Sequence, residues 1–219
     1  MAGLLAGLFA FFVGEPLLDR AVAIEEYASG AHTQELVSRA AQKVGLFFAT
    51  GATGLFVGGL FGLVFAYFRD RLSAGSDWLR SLSLAAAAFA GLVLIPFLKY
   101  PANPPSVGDP ATIRSRTAAY LALVGLSLLS ILAAWLASRN LRKTGVSQPA
   151  RQTIVGLGLV AVVAGLYAVL PAAVDPGKFP AGLLWSFRLS SLGTQVVLWT
   201  GIGVLFGALC ERANRRGAF

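Results

Sequence analysis

The stretch VGLFFATGATGLFVGGLFGLVFAYF, residues 44–68, decides the fold class, because it is long, apolar and free of charged side chains. An α-helix rises about 1.5 Å per residue, so roughly 20 such residues cross the roughly 30 Å of hydrocarbon in a bilayer. The apolar run is continuous rather than alternating, and an open strand cannot satisfy its backbone hydrogen bonds in lipid. The stretch therefore predicts a transmembrane α-helix.

Five further apolar segments accompany this stretch, and the gaps between the segments are too short for a soluble domain. They are residues 2–24, 82–98, 117–137, 153–170 and 189–210. We therefore predict an all-α, polytopic integral membrane protein, a six-helix transmembrane bundle that forms a single domain over residues 1–219. Five spans are the alternative, because Glu15 and Pro16 interrupt the first segment. That segment lacks a positively charged start and is interpreted as a retained span, not a signal peptide.

Composition supports a membrane protein and argues against several other classes. Hydrophobic residues make up 56% of the chain and charged residues 13%, with a mean hydropathy of +0.71, whereas soluble domains carry about 25% charged residues. No basic run is interleaved with stacking aromatic residues, so nucleic acid is not an expected partner of this +8 chain. The single cysteine, Cys210, excludes an internal disulfide and a cysteine-built metal cluster.

The distribution of charge over the loops predicts the orientation. Cytoplasmic loops are enriched in lysine and arginine, which also meet the anionic headgroups of the lipid bilayer. With six spans, three basic groups fall on one side, and most of the acids fall on the other. The three groups are Arg69, Arg71 and Arg80; Arg139, Arg142, Lys143 and Arg151; and Arg212, Arg215 and Arg216. We expect a multi-pass protein of the bacterial cytoplasmic membrane with both termini in the cytoplasm.

The candidate functional residues lie in GEPLLDRAVAIEEYASGAH, residues 14–32. This stretch holds four of the ten acidic residues, which are Glu15, Asp19, Glu25 and Glu26, and the only histidine, His32. A helix that enters the membrane near Gly3 has climbed about 18 Å at Glu15, which places this carboxylate within the hydrocarbon. Ionisable groups at that depth are costly and are usually functional. Pro16 predicts a kink at the same place.

The spacing of these residues favours a metal site. Glu15, Asp19 and Glu26 share one helical face, and Glu25 and His32 share a neighbouring face. Carboxylates with one imidazole suit a divalent ion such as Co²⁺, Ni²⁺ or Mn²⁺, held loosely enough to be released. We therefore predict that all five residues bind a metal ion. The alternatives are an ion pair between Glu15 and a base of another helix, a solvated face at Glu25 and Glu26, and an exposed His32.

The sequence has no motif that indicates an enzyme. It contains no Ser/His/Asp arrangement, nucleophile elbow, Walker loop or HExxH helix. With one histidine, acid–base catalysis would rest on carboxylates alone. We expect neither enzymatic activity nor a tightly bound cofactor. Transport would be passive, ion-coupled or driven by another subunit.

Five blocks spread over nearly the whole chain point to one known family. They are GEPLLDRAVAIEE (14–26), VSRAAQKVGLFFAT (37–50), PFLKYPANPPSVGDPATIRSRTAAYL (96–121), FPAGLLWSFRLSSLGTQVVLW (179–199) and FGALCER (206–212). Together they resemble the CbtA family, proposed cobalt transporter subunits of bacteria, and KYPANPP and SFRLSSLGTQ are the most specific parts. The resemblance implies Co²⁺ as the transported ion, a link to cobalamin supply, and a small single-span partner, CbtB, with a histidine-bearing metal motif.

The chain departs from this family in two respects. Relatives often carry a histidine-rich stretch where this chain has YASGAHTQEL, residues 27–36, with His32 alone. The histidines of a CbtB-like partner would then be more necessary. The family is usually described with five spans rather than six. The alternative function is a non-transporting structural subunit of a larger membrane complex, and either function allows a homo-oligomer or hetero-oligomer.

Overall fold

The computed structural model describes residues 1–29, 38–72, 75–105 and 107–217, and this part of the chain forms helices and loops without a strand. Six of its helices are long and apolar enough to cross a membrane. We name them α1 to α6 in chain order: Ala2–Tyr27, Arg39–Arg71, Asp77–Lys99, Pro110–Lys143, Gln148–Val169 and Ala181–Arg215. The prediction of an all-α, polytopic membrane protein with six spans is confirmed.

Most of the helices are longer than the apolar segments that predicted them. The helix α2 begins at Arg39, five residues before Val44, and α6 continues past Cys210 to Arg215. Long basic side chains at helix ends can keep their charge in the headgroup layer while their stems cover apolar surface. The helices therefore extend beyond their apolar segments, and hydropathy alone does not mark their ends.

A π-helical turn precedes a proline in two of the helices. These turns are Ala10–Gly14 in α1, before Pro16, and Ala90–Leu94 in α3, before Pro96. Proline has no N–H to donate, and the wider π turn changes which carbonyls the neighbouring N–H groups reach. In α1, the Glu15 N–H donates to the Ala10 carbonyl. The structure thus places a π turn directly before Pro16, and the kink at this proline stays a prediction.

The chain divides into two compact units. The first unit is Met1–Phe89, Ala102–Val107 and Lys178–Phe219, and the second is Ala90–Pro101 and Gly108–Gly177. In the first unit, α1 packs against α2 and α6, and the start of α3 packs against α6. The rings of Phe61, Phe65 and Phe206 form an aromatic cluster between α2 and α6. The single domain over residues 1–219 remains a prediction.

Glycines allow the closest helix contacts in the first unit. A Cβ on Gly54 of α2 would lie 2.6 Å from the Gly3 Cα atom of α1, so the two backbones touch. A Cβ on Gly193 would lie 2.8 Å from the Phe9 ring. Small residues at such crossings let membrane helices gain van der Waals contact. The α1–α2 crossing therefore depends on the absence of side chains.

In the second unit, α4 packs against α5 and against the π turn of α3. The Lys99 Nζ atom donates to the Tyr167 carbonyl at 2.7 Å, and the Tyr167 hydroxyl donates to the Ile95 carbonyl. The Tyr100 hydroxyl donates to the Pro171 carbonyl at 2.6 Å, and burial raises the pKa of this phenol. These bonds hold the end of α3 to the end of α5 and to the loop that follows it.

Candidate functional site

The candidate site begins at the proline turn of α1. The π turn ends at Gly14, and α-helical geometry resumes at Glu15 and continues to Ser29. Glu15 and Asp19 are one turn apart and lie on the same face. The side chain of Glu15 is 12% exposed and that of Asp19 is 43% exposed. Glu15 is therefore the more buried of the two carboxylates.

Two bases of α2 face these carboxylates. The Arg39 Nη2 atom lies 3.0 Å from the Glu15 Oε2 atom, and the Arg39 Nε atom donates to the Asp19 Oδ1 atom at 3.1 Å. The Lys43 Nζ atom lies 3.0 Å from the Asp19 Oδ2 atom. We call Glu15, Asp19, Arg39 and Lys43 the carboxylate–base cluster. Its formal charges cancel, so the acids are neutralised without a metal ion.

The position of Arg39 makes these ion pairs favourable. Arg39 is the first residue of α2, after the N-cap Ser38, whose hydroxyl accepts from the Ala41 N–H. A positive charge at a helix N-terminus is disfavoured by about 0.3–1 kcal/mol through the helix dipole. The carboxylates of Glu15 and Asp19 offset this penalty. The cluster therefore joins the middle of α1 to the beginning of α2.

The third wall of the site comes from α6. A Cβ on Gly14 would lie 3.3 Å from the hydroxyl of Ser190, which is buried. A second contact lies next to this one. Phe9 is about one turn before Gly14 in α1, Gly193 is about one turn after Ser190 in α6, and the Phe9 ring packs on Gly193. The conspicuous SFRLSSLGTQ block therefore packs against the π turn that positions Glu15.

Nearby, Arg188 of this block donates to the Asn103 Oδ1 atom at 2.8 Å, and its guanidinium lies 5.5 Å from the centre of the Trp185 ring. Asn103 belongs to KYPANPP. The two most specific blocks of the sequence are thus in direct contact within the first unit.

The other predicted ligands are farther along the chain. Glu25 is exposed and Glu26 is half-buried near the C-terminal end of α1, and His32 lies outside the residues that the structure describes. Within the described part of the chain, no three His, Cys, Asp or Glu side chains are grouped to hold a metal ion. The structure brings Glu15 and Asp19 together with two bases. Metal binding by the predicted five residues stays a prediction.

A second polar cluster was not anticipated as a unit. Asp77, at the start of α3, is 3% exposed and lies among Arg69, Arg80 and Asn214. The Arg69 Nη2 atom is 2.5 Å from Asp77 Oδ2, the Arg80 Nη1 atom is 3.0 Å from Oδ1, and the Asn214 amide donates to Oδ2 at 2.8 Å. We call these four residues the Asp77 cluster. It joins the ends of α2 and α6 to the start of α3.

The sequence contains a pattern that could predict the ion pairs of the carboxylate–base cluster, but it contains only a weak pattern for the Asp77 cluster. Glu15 and Asp19 are four residues apart, and so are Arg39 and Lys43 on the next helix, so both pairs form single faces. That match could have indicated the pairing. Asn214 is 137 residues from Asp77, and no local pattern connects them.

Comparison with known families decides the assignment. The model of the family described as probable cobalt transporter subunit (CbtA) matches residues 1–211 of the 219 residues. The chain belongs to the CbtA family. No curated protein and no solved structure matches it.

Membership in the CbtA family gives the general function. The family is one of probable cobalt transporter subunits, and the matched residues include the carboxylate–base cluster and three members of the Asp77 cluster. With its six apolar helices, this CbtA member is a multi-pass membrane protein. A subunit also implies partner subunits.

Proposed function

We propose that this chain is the membrane subunit of an uptake system for a divalent metal ion, with Co²⁺ as the transported ion. The observation that carries the proposal is Glu15, whose side chain is 12% exposed within a helix that is apolar enough to span a membrane. Ionisable groups in such helices commonly mark ion or proton pathways. The family description supports cobalt as the ion.

The proposed route runs along α1. Glu25 and Glu26 on its outer turns would collect the ion, together with the predicted ligand His32. The ion would then pass Asp19 and Glu15 before it reaches the cytoplasmic side. Oxygen ligands suit loose binding of a divalent cation, and a transport site has to release its ion again.

Arg39 and Lys43 have a defined part in this mechanism. They already neutralise Glu15 and Asp19, so a metal ion has to displace them. A divalent ion carries the same total charge as the two bases, and the exchange leaves the charge on the carboxylates balanced. Because unpaired buried charge is strongly unfavourable, the return of the two bases lowers the cost of releasing the ion, whereas their displacement weakens its binding.

The second component is a small, single-span, CbtB-like subunit in the bacterial cytoplasmic membrane. The chain has one histidine, whereas Co²⁺ binds well to imidazole as well as to carboxylate. A histidine motif on the partner would supply the missing nitrogen ligands. In this arrangement both termini of the chain face the cytoplasm, with the acids of α1 on the outer half.

Uptake of ⁵⁷Co²⁺ tests the proposal in cells that express the chain with and without a CbtB-like partner. We expect partner-dependent uptake, and we expect Glu15→Gln to reduce it by about tenfold or more, as loss of a metal-site carboxylate commonly does. Asp70→Asn is the matched control, because Asp70 is an exposed acid of the first unit outside both clusters. Full uptake by Glu15→Gln, at equal amounts of protein in the membrane, would show that the route is wrong.

The second candidate function is a non-transporting structural subunit. The observation that favours it is that Arg39 and Lys43 satisfy Glu15 and Asp19 without any ion. Affinity purification from native membranes separates the two candidates. A stoichiometric respiratory or secretion assembly supports the structural function, whereas co-purification with a single small subunit supports transport.

A further inference from the structure

A groove opens in the first unit between the start of α3 and the end of α6. Its lining is Ser76, Trp78, Ala208, Glu211, Arg212 and Arg215, and its volume is about 510 Å³. This volume lies within the range of about 300–1,000 Å³ that is typical of ligand sites. Since α3 begins and α6 ends here, the groove lies where two spanning helices leave the apolar layer.

Two arginines of this groove have no ion-pair partner within the described part of the chain, and the groove lining carries two positive charges against the one negative charge of Glu211. Arg212 and Arg215 are exposed and form no ion pair or side-chain hydrogen bond with any described residue. The nearby acids have other partners. Glu211 accepts a hydrogen bond from the Trp78 N–H at 3.3 Å, and Asp77 is surrounded by its own cluster.

We propose that this groove binds the phosphate headgroup of an anionic membrane lipid. Guanidinium groups bind phosphate oxygens through paired, charge-assisted hydrogen bonds. Tryptophan favours the membrane–water interface, and basic pockets between helices on the cytoplasmic side are known to hold anionic headgroups. Trp78 and Ala208 supply an apolar wall for the lipid beneath its phosphate. Free phosphate has the same charged oxygens as the headgroup, but it has no apolar part that could pack against this wall.

Arginines in the last turn of a helix also interact favourably with the helix dipole, without any ligand. That effect is the same whichever lipid is present. A dependence on lipid charge therefore separates a binding site from a helix-end interaction.

The test measures thermal unfolding of the purified, delipidated chain in neutral detergent. Three additions are compared: phosphatidylglycerol, phosphatidylcholine and inorganic phosphate. The variant Arg212→Gln/Arg215→Gln removes the two groove charges. The control Arg139→Gln/Arg142→Gln makes the same change of charge near the end of α4, where Arg139 lies over the Trp135 ring.

We expect phosphatidylglycerol to raise the unfolding temperature of the unaltered chain and of the control more than phosphatidylcholine does. The groove variant should lose most of this difference. An equal response to both lipids, or a full phosphatidylglycerol response in the groove variant, would overturn the proposal. A shift of the same size with inorganic phosphate alone would also overturn it, because the ligand would then be a free anion.

Discussion

Glu15 and Asp77 are both largely removed from solvent, yet their surroundings suit different roles. Asp77 is bound by two guanidinium groups and one amide, so each of its oxygens already accepts at least two hydrogen bonds. Glu15 is bound by Arg39 through its Oε2 atom, at 3.0 Å. A carboxylate oxygen has about two acceptor sites. Asp77 is therefore suited to joining helices, while Glu15 retains capacity for a metal ion.

Replacing Asp77 by asparagine should destabilise the fold. Arg69 and Arg80 would lose their shared counter-charge, and because their side chains are 32% and 25% exposed, the cost should be that of lost charged hydrogen bonds, about 1.5–3 kcal/mol. The free energy of unfolding of purified Asp77→Asn in detergent measures the loss. Asp70→Asn, an exposed neighbour, should stay within about 0.5 kcal/mol of the unaltered chain. Equal stabilities of the two variants would contradict the structural role of Asp77.

Replacing Arg39 by glutamine should strengthen cobalt binding. In the proposed exchange Arg39 competes with the ion for Glu15 and Asp19, so its removal eliminates a competitor. Equilibrium dialysis with ⁵⁷Co²⁺ on the purified chain should show a lower dissociation constant for Arg39→Gln. Arg142→Gln, which removes an exposed charge from the end of α4, should leave the constant unchanged. Weaker or unaltered binding by Arg39→Gln would contradict the exchange.

At the scale of helices, the same short pattern occurs twice. FAFFVGEP at residues 9–16 and FAGLVLIP at residues 89–96 share Phe, Ala, Val and Pro at matching positions, and each contains a π turn of five residues. The residue before the proline is Glu15 in α1 and Ile95 in α3. One turn later, Asp19 corresponds to Lys99. The two helices therefore share a backbone irregularity, and only α1 carries acids beside it.

The crossing of α1 and α2 should be sensitive to a single methyl group. Gly54→Ala places a Cβ 2.6 Å from the Gly3 Cα atom, so the backbones must separate, and overpacking of this kind costs about 1–3 kcal/mol. Gly58→Ala, one turn farther along α2, meets nothing within 4 Å and should be neutral or slightly stabilising. Thermal unfolding followed by circular dichroism compares them. A neutral Gly54→Ala would contradict the close crossing.

Sequence patterns predicted where the helices lie in the chain better than they predicted which helices contact each other, and the reasons are physical. Hydrocarbon thickness and backbone hydrogen bonding require an apolar run of about 20 residues in each spanning helix. Each of the six runs can be recognised in the sequence without knowing which helix it packs against. Whether Gly54 or Gly58 makes a close crossing depends on where α1 lies, and the spacing of glycines does not contain that information. The depth of Glu15 in the membrane stays a prediction from its position after the apolar residues of α1. Its pairing with Arg39 required the three-dimensional path of the chain.

At the scale of the whole molecule, the exposed apolar surface is that of a membrane protein. Large side chains such as Phe48, Leu55 and Leu157 are 76%, 78% and 66% exposed. In water such extensive apolar exposure would be unfavourable, whereas lipid tails are as apolar as these side chains. The helix α5 has no buried residue. The part of its surface that does not pack against α4 is therefore available to lipid or to other subunits.

The proposed orientation predicts opposite labelling of two loops. In a Cys210→Ser background, a membrane-impermeant maleimide should label Asp175→Cys in intact cells, because the loop after α5 is expected on the outer side. Asp70→Cys, in the last turn of α2, should be labelled only once the membrane is permeabilised. The reverse pattern would place both termini outside and would contradict the proposed direction of the ion route.

Anomalous scattering at the cobalt absorption edge, from crystals of the chain saturated with Co²⁺, tests the central claim most directly. We expect an anomalous peak beside the carboxylates of Glu15 and Asp19, with Arg39 and Lys43 moved away from them. In crystals of Glu15→Gln this peak should be weak or missing. A Co²⁺-saturated crystal in which Arg39 and Lys43 keep their ion pairs, and in which no cobalt lies near Glu15, would contradict a metal site at these carboxylates.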